Sequence, residues 1–265
     1  MTTHPAPWQA SSGHHARQRV FTQSSKLQDV LYEIRGPVHE HASRLEAEGH
    51  RILKLNIGNP APFGFEAPDV IMRDIIQALP YAQGYSDSKG IVSARRAVFT
   101  RYELVDGFPR FDIDDVYLGN GVSELITMTL QALLDNGDQV LIPAPDYPLW
   151  TASTSLAGGT PVHYLCDETQ GWQPDIADLE SKITDRTKAI VVINPNNPTG
   201  YILNEAEMDA VVAVAERSGA WLLCDEVYSG AERTTAVQTP SFWGRYDKVL
   251  ALNSLSKAYG LPGLR

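Results

Sequence analysis

The order of apolar and polar positions divides the chain into two parts. In the first, apolar residues recur at helical spacing. Between Ser25 and Glu48 they fall at Leu27, Val30, Leu31, Ile34, Val38 and Leu45, with Gly36-Pro37 as the predicted break or kink. LKLNIGNPAPFGF (53–65) predicts a short apolar strand and then a Gly/Pro-rich loop. APDVIMRDIIQAL (67–79) reads as a helix ending before Pro80, YAQGYSDSKG (81–90) as a loop, and IVSARRAVFTRYEL (91–104) as a helix.

From Val116 the pattern becomes a regular alternation. VYLG (116–119), DQVLIPAP (138–145), PVHYLC (161–166), KAIVVIN (188–194), WLLCDE (221–226) and KVLALNS (248–254) are apolar runs of strand length. GVSELITMTLQALL (121–134), residues 175–182 and LNEAEMDAVVAVAERSG (203–219) carry helical periodicity. Strands without polar alternation are buried on both faces, as in a parallel sheet covered by helices. The expected fold is therefore a doubly wound α/β domain.

Open α/β sheets bind ligands beyond the carboxyl ends of their strands. Here those ends yield GNGVSE (119–124), APDYPLW (144–150), NPNNPTG (194–200), DEVY (225–228) and SLSK (254–257). All the polar clusters of this half fall at that one edge. GNGVSE exposes backbone N–H groups at a helix start, a ready site for a phosphate, although taken alone the motif reads first as a serine-capped turn. NPNNPTG makes a rigid loop that presents the Asn197 amide. Asp225, at the end of an apolar run, calls for a cationic partner such as a protonated ring nitrogen. Tyr228 lies three residues on, within reach of a phenolic oxygen. Lys257, desolvated at a strand end, becomes a nucleophile that forms a Schiff base with a carbonyl. An aldehyde, a phosphate and a ring nitrogen together describe pyridoxal 5′-phosphate.

Composition narrows the partners. The net charge is −10 and the pI about 5.1, which disfavours nucleic acid and anionic membranes. No apolar run approaches the roughly 20 residues of a membrane span, and the N-terminus has no secretory h-region. Two cysteines, Cys166 and Cys224, suit a reducing cytoplasm, with Cys224 read as a core thiol. Residues 1–24 read as a disordered extension; His14 and His15 in it lack the fixed geometry of a metal site, and no metal is expected.

SLSKAYGLPGLR, NPNNPTG and CDEVY, in that order, resemble the fold-type I pyridoxal-phosphate aminotransferases of class I/II. YSDSKG, GNGVSE and LNIGNPAPFGF extend the resemblance to the bacterial alanine (glutamate–pyruvate) aminotransferases, over about Lys26 to Arg265. The resemblance implies a mainly parallel α/β/α sandwich as large domain (66–265) and a small domain to which 25–65 contributes. It implies Lys257 as the cofactor-linked acid/base, Asp225 on the pyridine nitrogen and Tyr228 on the phenolic oxygen. Asn197 would support that oxygen and the substrate carboxylate, and Tyr147 would stack on the ring. The backbone at Val122 and Ser123, with Ser254 and Arg265, would hold the phosphate. Tyr85 would reach the phosphate of the second subunit of a homodimer, and the Gly58 backbone would face the substrate carboxylate. The implied substrates are an L-amino acid, alanine, and a 2-oxo acid, 2-oxoglutarate. A β-lyase or decarboxylase on the same scaffold, and an inactive cofactor-binding fragment, remain alternatives. The chain stops immediately after Arg265, so the resemblance also implies a C-terminally truncated member. It would lack one sheet strand, most of the small domain and the arginine that pairs with the substrate carboxylate.

Overall fold

Short apolar runs separated by amphipathic helices assemble here into one sheet with helices on both faces. The structure is a computed structural model; it describes residues 22–27, 30, 36–54, 58–105, 107–233 and 238–264. The first part of the chain contributes α1 (Gly36–Ala47), α2 (Asp69–Ala78) and α3 (Val92–Glu103). The sheet consists of β1 (Gln139–Ala144), β2 (Thr160–Asp167), β3 (Gln173–Pro174), β4 (Thr187–Ile193), β5 (Trp221–Asp225) and β6 (Val249–Leu252). Its order is β3-β2-β1-β4-β5-β6, parallel except for β3 against β2. The order changes direction between β1 and β4, the place where such sheets open a crevice.

Alternation along each strand separates two cores. Ala189, Val191 and Ile193 of β4 join the cluster built with α4 (Gly121–Leu133) and α5 (Leu149–Leu156), which contribute Ile126, Leu130 and Trp150. Ile190 and Val192 join the opposite cluster with α6 (Ile176–Ser181) and α7 (Glu205–Ser218), through Leu179, Met208 and Val211. β1, β4 and β5 are thus covered on both sides, which is why their sequences show no polar alternation, whereas β2 and β6 keep exposed positions. Asn204 starts α7 with a capping box: its Oδ1 accepts from the Glu207 N–H at 3.0 Å, and Glu207 Oε2 accepts from the Asn204 N–H at 2.9 Å. Gly219, at φ 68°, ends the helix in the left-handed region that glycine tolerates.

The first part of the chain is peripheral. Between residues 22 and 115 Arg95 alone is buried among the described residues. It ties α3 to the following loop, donating to Ile113 O at 3.2 Å and Asp114 Oδ1 at 3.1 Å.

Several expectations change in detail. Helix α1 is described from Gly36 onward, and the residues just before it, on which the predicted break at Gly36-Pro37 depends, lie outside the described residues. Leu31 and Ile34, the core of the strand expected at 55–57, His14, His15 and residues 1–21 of the expected N-terminal extension lie outside the described residues. VYLG is not a strand: among the described residues no strand pairs with the outer side of β6, and Leu118 N bonds Lys89 O instead, at 2.9 Å. Helix α5 has no counterpart in the sequence reading. Its LWTASTSL is short and rich in Ser and Thr, residues of modest helix propensity, and it forms to carry the chain from β1 to parallel β2. Cys224 is a buried free thiol, as read, and so is Cys166; burial pushes Cys166 up to about 11. No helix among the described residues is long and apolar enough to cross a membrane.

Ile190, fully buried between β4 and α7, gives a direct test of this packing. Ile190→Ala is expected to lower unfolding free energy by about 2–5 kcal/mol in urea titration. A loss below about 1 kcal/mol would contradict the two-sided burial of β4.

Candidate active site at the carboxyl edge of the sheet

Parallel register brings three strand ends level. Ile193 pairs with Asp225, and Asp225 with Leu252. Main-chain bonds continue one residue further: Asn194 N to Asp225 O at 3.0 Å, and Glu226 N to Leu252 O at 2.8 Å. The loops carrying 194–200, 225–228 and 253–257 therefore leave the sheet side by side. Val122, in the first turn of α4, belongs to the same apolar cluster as Ile193, Val227 and Leu252, and Tyr147 and Tyr228 pack against that cluster.

Asp225 is 2% exposed. Its Oδ2 accepts from the Trp150 indole N–H at 3.3 Å and its Oδ1 from the Val227 N–H at 3.2 Å. Burial pushes the carboxyl up from 3.8 to about 6; the Val227 and Trp150 bonds and the positive charge of Lys257 pull it back only in part. A buried carboxyl that two N–H groups and a lysine leave this high gains from a further cation.

Lys257 supplies charge to this site from an exposed position, its Nζ 5.5 Å from the centroid of the Tyr228 ring. The expectation of a desolvated lysine is corrected here: no described segment covers it. The loop is well tied nonetheless. Ser254 N donates to Asn253 Oδ1 at 2.7 Å, Ser256 N to Ser254 Oγ at 3.1 Å, and Gly260 N to Lys257 O at 3.0 Å. Asn253 Nδ2 reaches the Tyr102 hydroxyl at 3.2 Å, joining the loop to α3.

No side chain caps α4 from its N-cap position, Asn120. Gly121 has φ 74° and is buried, and Glu124 takes the Asn120 N–H. A Cβ at Gly119 would lie 2.8 Å from Leu125 Cδ2 and 3.0 Å from Glu124 Oε2, so either side chain would have to shift to admit one. Val122 is buried and Ser123 half-buried at the positive end of the helix dipole.

In NPNNPTG, Asn194 is buried; its Oδ1 accepts from Leu203 N at 3.0 Å while its Nδ2 has no partner. Asn197 is half-buried in the same loop. Two expected residues are not brought in: Tyr85 is fully exposed, and a Cβ built on Gly58 meets nothing within 4 Å. Arg265 lies outside the described residues. Trp150 was missed as a site-lining group: it stands inside a quoted motif, but only its bond to Asp225 shows its part. A cavity of about 300 Å³ beside Glu226, lined by Tyr102, Phe108, Trp243 and Arg245, includes none of Asp225, Tyr228 or Lys257.

The parallel α/β sheet brings a buried aspartate, an exposed lysine over a tyrosine and a helix start to one edge, where sheets of this kind bind ligands. Residues 50–265 match the family model of aminotransferase class I and II, and the chain belongs to that family. It is 74% identical over 266 positions to the alanine aminotransferase of Mycobacterium tuberculosis, covering all of this chain and 62% of that protein. It is 52% identical to the glutamate–pyruvate aminotransferase AlaA of Haemophilus influenzae, covering 93% of this chain and 61% of the relative. An Escherichia coli aminotransferase structure superposes with TM-score 0.87 at 48% identity, over 93% of this chain and 61% of that one. The alanine aminotransferase of Pyrococcus furiosus gives 0.84 at 36%, over 92% and 62%. The fold is that of the fold-type I transferases. The chain spans about 62% of the length of the curated relatives it matches. The family's cofactor is pyridoxal 5′-phosphate, and the residues present fit it: a buried carboxyl short of a cation, a lysine whose charge reaches it, and a helix start opened by Gly121 at φ 74°.

The raised Asp225 carboxyl makes stability pH-dependent. Folded protein keeps this proton between 3.8 and about 6 while unfolded chain has released it. The stabilisation is fully present below 3.8 and lost once pH passes about 6, a change on the order of 3 kcal/mol. Relative to wild type, Asp225→Asn is expected to lack this fall in urea titrations at pH 4, 5, 6 and 7. Parallel curves for the two proteins would contradict the burial of an ionisable group here.

Proposed function

We propose that the protein is a pyridoxal-phosphate-dependent aminotransferase that moves the amino group of L-alanine to 2-oxoglutarate. The observation that carries this reading is the buried Asp225 carboxyl, held by Trp150 and Val227 and faced by the charge of Lys257. The substrate pair follows the names of the relatives, alanine aminotransferase and glutamate–pyruvate aminotransferase.

Bound pyridoxal phosphate supplies an aldehyde that captures amines and a cationic ring that withdraws electrons. Asp225 would accept the ring N–H and keep that nitrogen protonated. Tyr228 would donate its hydroxyl to the phenolic oxygen, and the Asn197 amide would serve that oxygen and the substrate carboxylate. Tyr147 would pack against the ring. The N–H groups of Val122 and Ser123, the Ser254 hydroxyl and Arg265 would hold the phosphate, and the Gly58 backbone would serve the substrate carboxylate. Lys257 takes the proton from the substrate Cα on its Nζ and returns it, which needs an amine free to move; its exposed position in this chain leaves it so.

The working form is read as a homodimer in the cytoplasm. Tyr85, fully exposed here, is available to a second copy, whose phosphate it would reach. The low cysteine usage supports a reducing compartment. Residues 25–65, none of whose described members is buried, belong to a small second domain, and 66–265 to the cofactor-binding large domain.

Lys257→Ala tests the central assignment. Borohydride treatment with pyridoxal phosphate is expected to fix the cofactor to wild-type protein and to leave the variant unlabelled by mass spectrometry. Equal labelling of both would overturn the role of Lys257. In wild type, alanine should yield pyruvate and the amine form of the cofactor; ammonia or carbon dioxide would point to lyase or decarboxylase chemistry.

A further inference from the structure

Asp225 and Glu226 are consecutive carboxyl residues at the end of β5, and strand alternation sends them to opposite faces. Asp225 bonds Trp150 of α5, on the α4/α5 side. Glu226 is equally buried, at 4% exposed, and its Oε1 accepts from the Ser241 hydroxyl at 2.9 Å and from the Phe242 N–H at 2.8 Å. Phe242 is fully buried in the α6/α7 core. Glu226 thus pins the β5–β6 connection to the strand from behind.

The turn that Glu226 begins is the one that serves Asp225. Ser229 N closes it on Glu226 O at 2.9 Å, and inside it Val227 N donates to Asp225 Oδ1 and Tyr228 carries the ring beneath Lys257. We propose that Glu226 is a positioning residue for Asp225: by anchoring Ser241 and Phe242 it holds the 225–229 turn closed and keeps water from the Asp225 carboxyl. The value of this role to catalysis rests on the cofactor reading of Asp225; the role itself does not.

Burial pushes Glu226 up to about 7, above Asp225, with the Phe242 and Ser241 bonds lowering it, Asp225 raising it and Arg245 lowering it. Tyr102 on α3 and Cys224 on β5 also feel its charge, and Lys257 faces Asp225 from the loop after β6. Glutamine, which resembles the protonated acid and keeps an oxygen for both donors, should replace Glu226; alanine should not.

The test is a 13C-carboxyl NMR titration of the cofactor-free full chain, with the Asp225 resonance assigned by its loss in Asp225→Asn. Glu226→Gln is expected to leave the Asp225 midpoint within about 0.3 unit of wild type, and Glu226→Ala to lower it by about one unit as water enters. A merely structural loss would lower stability without moving that midpoint. An unmoved midpoint in Glu226→Ala, or an equal fall in Glu226→Gln, would overturn the proposal. Should Glu226→Ala fail to fold, Ser241→Ala removes one of the two bonds: a fall of about half a unit supports the proposal and no fall overturns it. Failure of wild type to bind pyridoxal phosphate would sink the cofactor reading alone, since this titration uses none.

Discussion

The site depends on one unfavourable burial, the Asp225 carboxyl at the end of β5. It lies where a strand covered on both faces meets the open edge, so it is dry without being remote. Two N–H donors and the charge of Lys257 offset part of the desolvation and leave the carboxyl near 6 rather than near 4. Such a group holds a standing preference for a cation. The parallel register then ensures that whatever answers it also meets the loops after β4 and β6.

The same alternation that builds two apolar cores also divides labour between adjacent carboxyls. Asp225 faces α5 and the tyrosines; Glu226 faces Phe242 and the β5–β6 connection. Neither could exchange roles with the other, because a shift of one residue along the strand would reverse every side chain of β5. The DE pair is in this sense a statement about register as much as about charge.

Much of this was legible in the sequence. The unbroken runs KAIVVIN and WLLCDE gave β4 and β5 because full burial leaves no polar face to disguise the strand. The convergence of polar motifs at strand ends anticipated that the loops after β4, β5 and β6 leave the sheet side by side, since parallel strands end at one edge. Less was legible where three-dimensional context decides. VYLG is apolar enough for a strand but finds no partner strand among the described residues. Helix α5 is weak by propensity and is imposed by the crossover between β1 and β2. The bond from Trp150 to Asp225 spans 75 positions, a distance over which no spacing rule operates. Lys257 was expected to be desolvated, and its exposure reflects which segments cover the loop, something no local motif encodes.

The central claim is that Asp225 keeps a ligand's ring nitrogen protonated. The most direct measurement is the 15N chemical shift of pyridoxal phosphate labelled at the ring nitrogen and bound to the protein at pH 8. The account predicts the shift of a protonated pyridine in wild type and of a neutral pyridine in Asp225→Asn. A neutral ring nitrogen in wild type, with the cofactor bound, would contradict it.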